Sequence, residues 1–586
     1  AAVVAVAFVS GSRPRLNMQI DGRTSSYNEL AFGTKSLWDM KQVEIYRGAQ
    51  SYAQGRNAIA GAVVMTSNDP TQEWEGAAKL NMGNHRLAQT AALISGPVVK
   101  NELAFRLSVD HQQRETAVDL PHYDPVGNPR WFKATNTRAK LLWTPSALPD
   151  LYSRLTFNHL NARAPQSETE LQPNSPRYTP ERPVFQTRSA STIWDIGYQL
   201  SDRWKWENKL VYTHFIHDRK TTSPFNTALP PNRRGVPARV DGNEFQIEPI
   251  VKYESEKYRG LFGLFYFNAK QDESVTMLNG RIARTPITTN FNDKTKTKAA
   301  FGEITFTPDI PFELTLSARY EQEHHQRKGK SAMFSINRDK KYNVFLPKAD
   351  IAWKINDNQR LGFKVGKGYN PGGAGVTFGV PYTSYEYDAE YVWNYELYHR
   401  WTSADKRLRI NSNLFYNDYK DMQLPFTLGP NSIVIRNADK VVTYGAEINT
   451  EWQATEKLAL NAGIGMLKTD IKRYPNSGIE GNKLARAPSF SGKLGANYRL
   501  LDHLEIGTNY SYNSSYYSTA DNLANGKVGH YDQLDVYLAY DFKHARITLY
   551  ADNVLNSRKD ILLVPRSGDI TRQPERQIGL STELRF

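Results

Sequence analysis

The sequence predicts an all-β membrane protein, an antiparallel barrel that crosses the lipid with strands. Three observations carry this reading. The first is a strict period-two alternation of apolar and polar residues, the pattern of a strand with one apolar face. The second is hydropathy. In 586 residues the mean hydropathy is negative, and no run approaches the roughly 18 apolar residues that a membrane helix needs. The third is the connections, which switch between tight turns and long polar stretches, as they do at the two ends of a transmembrane barrel.

Residues 1–12, AAVVAVAFVSGS, have the apolar look of a secretion signal but no preceding basic segment. They are read as the interior of a mature chain. Residues 1–72 form one unit and residues 73–586 the barrel. Within the barrel, Phe312, Leu314, Leu316, Ala318 and Tyr320 share one face, as do Tyr444, Ala446, Ile448, Thr450 and Trp452. Leu458 to Met466, Leu504 to Tyr512 and Leu534 to Phe542 repeat the pattern. Tight turns are predicted at 355–359 and 501–503, and long loops at 164–184 and 221–242. Twenty-two strands would leave about 23 residues for each strand with its connection, enough for a span of ten or more plus a loop. The last strand runs Ile578, Leu580, Thr582, Leu584 and ends on a bare Phe586. A closed barrel has no edges, so that strand is predicted to pair with the first. A soluble propeller or solenoid would need a repeat of about 40 to 50 residues, and the sequence has none.

The chain carries 33 Tyr, 25 Phe and 11 Trp, enough for aromatic girdles at both lipid interfaces. It has no Cys, which excludes disulfides, thiolate metal sites and cysteine nucleophiles. Its net charge of +14 calls for an anionic partner: lipopolysaccharide, an acidic ligand or nucleic acid. No nucleic-acid-binding module is present, so that last partner is not predicted. Twelve His offer no H-E-x-x-H, and neither a G-x-S-x-G elbow nor a phosphate loop occurs, so no enzyme is predicted. His324-His325 sit in EQEHHQRKGK, read as a loop or strand end.

Three segments of the first unit stand in a telling order: Met18-Gln-Ile-Asp-Gly22, Val43-Glu-Ile-Tyr-Arg-Gly48, and Tyr52 to Gly61 running into Val63-Val-Met-Thr66. Together they resemble the second half of the plug domain of TonB-dependent outer-membrane receptors, with Gln54 a minor departure. The resemblance continues through Asn343 to Lys348, Gly366 to Gly373, Trp393 to Glu396 and Tyr550 to Asn556. It implies a 22-stranded transmembrane barrel with a small α/β plug inside the lumen, in the bacterial outer membrane. The family's first plug half and its TonB box are expected ahead of residue 1. The resemblance also implies a monomer, surrounded by outer-membrane lipid and lipopolysaccharide, that couples to the TonB energy-transducing complex.

A ferric siderophore is the expected cargo. Heme receptors of the family carry F-R-A-P and N-P-N-L stretches, which are absent; Gly368-Tyr-Asn-Pro-Gly-Gly373 is of the siderophore-receptor type. Heme, cobalamin, another metal chelate or an oligosaccharide are the alternatives, and a passive porin is a more distant one. Ligand contacts are expected from Arg13, Arg15, Arg23, Tyr27 and Asn28 on two plug apices, and from Tyr382 and Tyr385 in the barrel. Glu44 and Arg47 are expected to lock plug to wall through buried ionic contacts. No cofactor or protein-held metal is expected, because iron arrives already chelated.

Overall fold

A computed structural model describes residues 14–54, 58–170, 172–174, 179–278, 285–429 and 432–586. Arg13 and the apolar run before it lie outside the described residues. Twenty-two strands, from Glu75–Gly83 to Gln577–Arg585, form one closed barrel. The closing pair is antiparallel, with Leu580 opposite Met82 and Leu584 opposite Ala78. Phe586 and Gly76 exchange both backbone hydrogen bonds at 3.0 Å, and the Phe586 ring fills the space where a Cβ on Gly76 would lie. Closure pairs the backbone groups that lipid could not satisfy.

The alternation resolves as the sequence predicts, with the apolar face turned outward. Phe262, Ile304, Leu316, Ile351 and Leu580 are all exposed, while their strand neighbours Gly263, Thr305 and Ser317 are buried inside. Tight turns join strands at one end, where Asn356 pairs with Gln359 and Leu501 with Leu504. Long connections such as 166–183 and 371–389 lie at the other, which is therefore the extracellular end.

One boundary differs from the sequence reading: the predicted loop 221–242 ends earlier, at the strand Ala238–Glu254. EQEHHQRKGK, read as a loop or strand end, is the upper end of the strand Phe312–Lys330. The strands Tyr258–Leu278 and Ser335–Asn356, of 21 and 22 residues, likewise exceed what lipid requires. Above the lipid the outward positions turn polar, as at Gln322, His324 and Gln326, so the hydropathy signal fades. The backbone ladder does not depend on it and continues.

Before the barrel lies a small α/β unit: β1 (Leu16–Ile20), β2 (Arg23–Thr24), α1 (Tyr27–Phe32), β3 (Met40–Arg47), α2 (Ser51–Gln54) and β4 (Gly61–Ser67). Its sheet order is β2-β1-β4-β3, with β1 parallel to β4 and β3 antiparallel to it. Asp21-Gly22 turns β1 into β2 with both residues at positive φ (53° and 88°), the chemistry a two-residue hairpin demands. A capping box starts α1: the Glu29 N–H donates to Ser26 Oγ at 3.3 Å, and the Ser26 N–H donates to Glu29 Oε2 at 2.6 Å. The unit sits in the lumen. Phe32 stacks on inward-facing Phe185 with centroids 3.8 Å apart, and Trp38 packs on Ala77, Ala91 and Leu93.

Candidate functional site

The plug sheet carries opposite charges at its two ends. β1 and β4 run one way and β3 the other, so Asp21 after β1, Asp39 before β3 and Asp69 after β4 all fall at the same end. Facing them are cations on inward positions of the strands Leu103–Glu115, Trp131–Trp143 and Leu151–Pro165, near their tight-turn ends. Arg106 Nε donates to both Asp39 oxygens at 3.0 and 2.8 Å and Nη1 donates to Glu75; the Arg106 and Asp39 side chains are 5 % and 1 % exposed. Arg154 Nη2 donates to Asp69 at 2.9 Å, and Lys140 Nζ to the same carboxylate at 3.3 Å. Arg138 and Lys140 approach Asp21 to 3.9 and 4.0 Å. Asp21 also accepts from the Ser67 N–H at 2.9 Å and Oγ at 2.6 Å, tying the turn to β4. Burial alone would raise the Asp21 pKa, but Lys140 and Arg138 outweigh it and hold the carboxyl below its usual range.

Sequence reasoning missed this lock. Asp21 and Asp69 stood inside the motifs but read as turn and exit residues. The signal lay in the barrel: Arg106 alternates with outward-facing Leu107 and Val109, and a cation on a lumen face needs a partner.

Arg15, before β1, lies at the other end. Its Nη1 reaches both oxygens of Glu390 at 2.6 and 2.7 Å, and its guanidinium lies 5.8 Å from the centre of the Tyr419 ring. The Glu390 side chain is fully buried and the Arg15 side chain is 31 % exposed. Arg47 at the end of β3 pairs with Glu447 of the wall. That pair is open to solvent, with Arg47 61 % exposed, so burial is absent where it was expected. The reason is position, since β3 is the edge strand and its outer face, including Ile45, is uncovered. Among the described residues Glu44 makes no wall contact of the expected kind. It accepts from Gln42 Nε2 at 2.6 Å and from the Tyr46 hydroxyl on its own strand.

The remaining expected contacts separate into two groups. Arg23 is turned inward, its Nη2 donating to both Glu29 oxygens at 2.8 Å. Burial would raise the Glu29 pKa, but Arg23 and then Lys35 bring it down to about 2. Asn28 is also buried. Arg23 is drawn into the plug because the buried Glu29 carboxylate needs a charged donor. Tyr27, the first residue of α1, is half-buried, and burial pushes its hydroxyl up to about 12. Tyr382 and Tyr385 belong to the connection 371–389, where Gly373–Val376 pairs with Ser384–Tyr387. This hairpin folds inward: Ala374 and Val376 are fully buried, and Tyr382 packs on a cluster that includes Phe334, Ile336, Phe291 and the plug's Phe32. Neither tyrosine is a lipid-interface girdle residue. A second apolar cluster joins Ala49 and Ile59 of the plug to Val392, Tyr419 and Leu424 of the opposite wall.

Cavities of about 40 and 150 Å³ lie between plug and wall. They have room for waters but are well below the roughly 300 Å³ at which small-ligand pockets begin. The arrangement is a stoppered barrel with a polar, aromatic mouth above the stopper.

Residues 134–556 match the family model for the TonB dependent receptor-like β-barrel, and the chain belongs to that family of bacterial outer-membrane receptors. The family is made of transport receptors. Among curated relatives, the pesticin receptor of Yersinia pestis is 20 % identical over 98 % of this chain and 84 % of its own length. The ferrioxamine B receptor of Salmonella typhimurium is 23 % identical over 34 % of this chain, a match spanning 28 % of that receptor. The crystal structure of the ferric yersiniabactin uptake receptor of Yersinia pestis superposes with a TM-score of 0.83 at 18 % identity, covering 98 % of this chain and 89 % of that one.

Proposed function

We propose that the protein takes up a ferric siderophore across the outer membrane, with release of the plug driven by the TonB complex. The observation that carries the active mechanism is the buried contact of Asp21 and Asp39 with Arg106, Arg138 and Lys140. A plug seated on paired charges in a low-dielectric lumen does not leave by thermal motion alone, because separating such pairs costs several kcal/mol each. Energy must be supplied, which sets the protein apart from a passive porin. The cargo class rests on the relatives, whose names are those of pesticin, ferrioxamine B and ferric yersiniabactin receptors. An acidic chelate also suits a mouth offering Arg15, Tyr27, Tyr382 and Tyr385. Iron arrives inside the chelate, so no resident metal or cofactor has a part, and a single closed barrel acts as a monomer.

Uptake of radiolabelled ferric siderophores, with ferric heme alongside, tests this in cells with and without the receptor, energised and de-energised. Receptor-dependent accumulation of a siderophore only in energised cells is expected. Accumulation after de-energisation would leave a porin, and uptake of heme alone would remove the siderophore. Arg15→Ala and Tyr382→Ala each weaken binding of the accepted chelate; unchanged affinity in both would displace the site.

A further inference from the structure

We infer that the periplasmic end of the lumen holds a site for a short zwitterionic peptide, one that presents a free ammonium and a free carboxylate. A cavity of about 410 Å³ lies there, above the roughly 300 Å³ at which small-ligand pockets begin. Lys205 and Glu207, Lys252 and Glu254, and Arg259 line it from three successive strands, and the turn at 202–203 forms part of its rim. These are inward positions. Beside them in sequence Trp204, Tyr253, Tyr258 and Phe306 face outward as aromatic pairs, with ring centres 4.8 and 4.9 Å apart. The cavity therefore stands at the level of the inner lipid boundary. Lys209, four residues further up the strand than Lys205, donates from Nζ to the Asp21 carbonyl oxygen of the plug at 2.9 Å. The cavity is thus beneath the plug, on the periplasmic side.

The charges around it are only half matched. Lys205 and Lys252 stand directly opposite each other across the ladder, where like charges destabilise the pairing. One carboxylate serves both: Glu207 lies 3.1 Å from Lys205 Nζ and 3.0 Å from Lys252 Nζ. Arg259 stands opposite Glu254, yet the described residues give neither side chain an ion pair. Two lysines sharing one acid, beside an unengaged guanidinium, call for a further carboxylate, which a guanidinium grips through two parallel hydrogen bonds. The unengaged Glu254 calls for an ammonium. A simple anion would satisfy the cations and be repelled by Glu254, whereas a zwitterion satisfies both. Short peptides free in the periplasm and the peptide stems of the cell wall share this chemistry. No residue of the site anchors the plug or meets the cargo, so the inference stands apart from the siderophore reading.

The test titrates the intact receptor in detergent with trialanine, N-acetyl-trialanine, trialanine amide and soluble muropeptides cut from the cell wall. Arg259→Gln, Lys252→Gln and Glu254→Gln are titrated alongside, with heat-modifiable mobility and cargo uptake as checks on barrel and plug. Wild type is expected to bind trialanine and to lose roughly tenfold or more in affinity on either block, since each removes one charge-assisted contact. Arg259→Gln and Lys252→Gln should lose the preference for the free carboxylate and Glu254→Gln that for the free ammonium, with uptake unchanged in all three. Muropeptides binding more tightly than trialanine would support the site with the cell wall as its source; equal binding would support it with free peptides. Absence of binding by trialanine and muropeptides alike would overturn the inference. Equal binding of free and blocked peptides, or blocks that act equally on wild type and variants, would overturn it as well.

Discussion

The two ends of the plug sheet make opposite bargains with the same barrel. At the tight-turn end the plug is acidic and the wall basic, and the contacts of Asp21 and Asp39 are buried, with Asp21 and Lys140 side chains 8 % and 2 % exposed, while Asp69 stands partly open at the rim. At the other end the plug is basic and the wall acidic, and the plug arginines are more open: the Arg15 side chain is 31 % exposed against a buried Glu390, and Arg47 is 61 % exposed against a partly exposed Glu447. Water decides what these differences are worth. A buried pair that loses one member strands a charge in low dielectric, whereas an exposed pair hands its charge to solvent. The acidic end is therefore the anchor. The basic end is where an incoming anionic chelate can compete for the same arginine without unseating the plug.

The comparison can be broken most forcefully at Arg106. Arg106→Ala leaves Asp39 buried without its main partner, and a loss of about 4 kcal/mol in plug docking is expected. It should read out as a sharp increase in vancomycin sensitivity of cells expressing the variant; wild-type resistance would refute the anchor. The next effect is acid. The Glu29 carboxyl is held at about 2 in the fold against an ordinary value of 4.5. Its contribution, about 3 kcal/mol, is complete above pH 4.5 and disappears as pH falls toward 2. Pulse proteolysis of the plug across that window should show the step in wild type and lose it in Glu29→Gln. Arg15→Ala follows at about 2 kcal/mol, because Glu390 keeps the Gln423 N–H as a donor at 2.9 Å. It is measured as a lowered midpoint of plug release in urea. Arg47→Ala is the smallest, under about 1 kcal/mol, since its pair lies in water; a midpoint shift matching that of Arg15→Ala would erase the distinction between buried and open contacts.

How much of this was legible in the sequence follows from where each residue's environment is set. Leu314, Leu316 and Leu580 face lipid, a uniform solvent that imposes one rule on every outward position, and so alternation exposed the barrel and its closing strand. Asp21-Gly22 was legible as a turn because local backbone chemistry alone dictates it. The lumen follows no single rule. Arg23 and Arg15 look alike in sequence, yet one turns to Glu29 six residues on and the other to Glu390, a partner 375 residues away. Glu44 and Arg47 were sought as the lock, but an edge strand leaves them in solvent. Arg138 and Lys140 could have been found only by asking which inward cations lacked a carboxylate on their own wall.

The central claim is that the plug is held at its acidic end. Segment-resolved amide exchange of the intact receptor tests it most directly, comparing wild type, Arg106→Ala and Arg47→Ala over residues 16–24 and 61–67. Exchange in those segments should rise roughly a hundredfold in Arg106→Ala and stay at the wild-type rate in Arg47→Ala. Equal rates in all three proteins, or a larger rise in Arg47→Ala, would contradict the account.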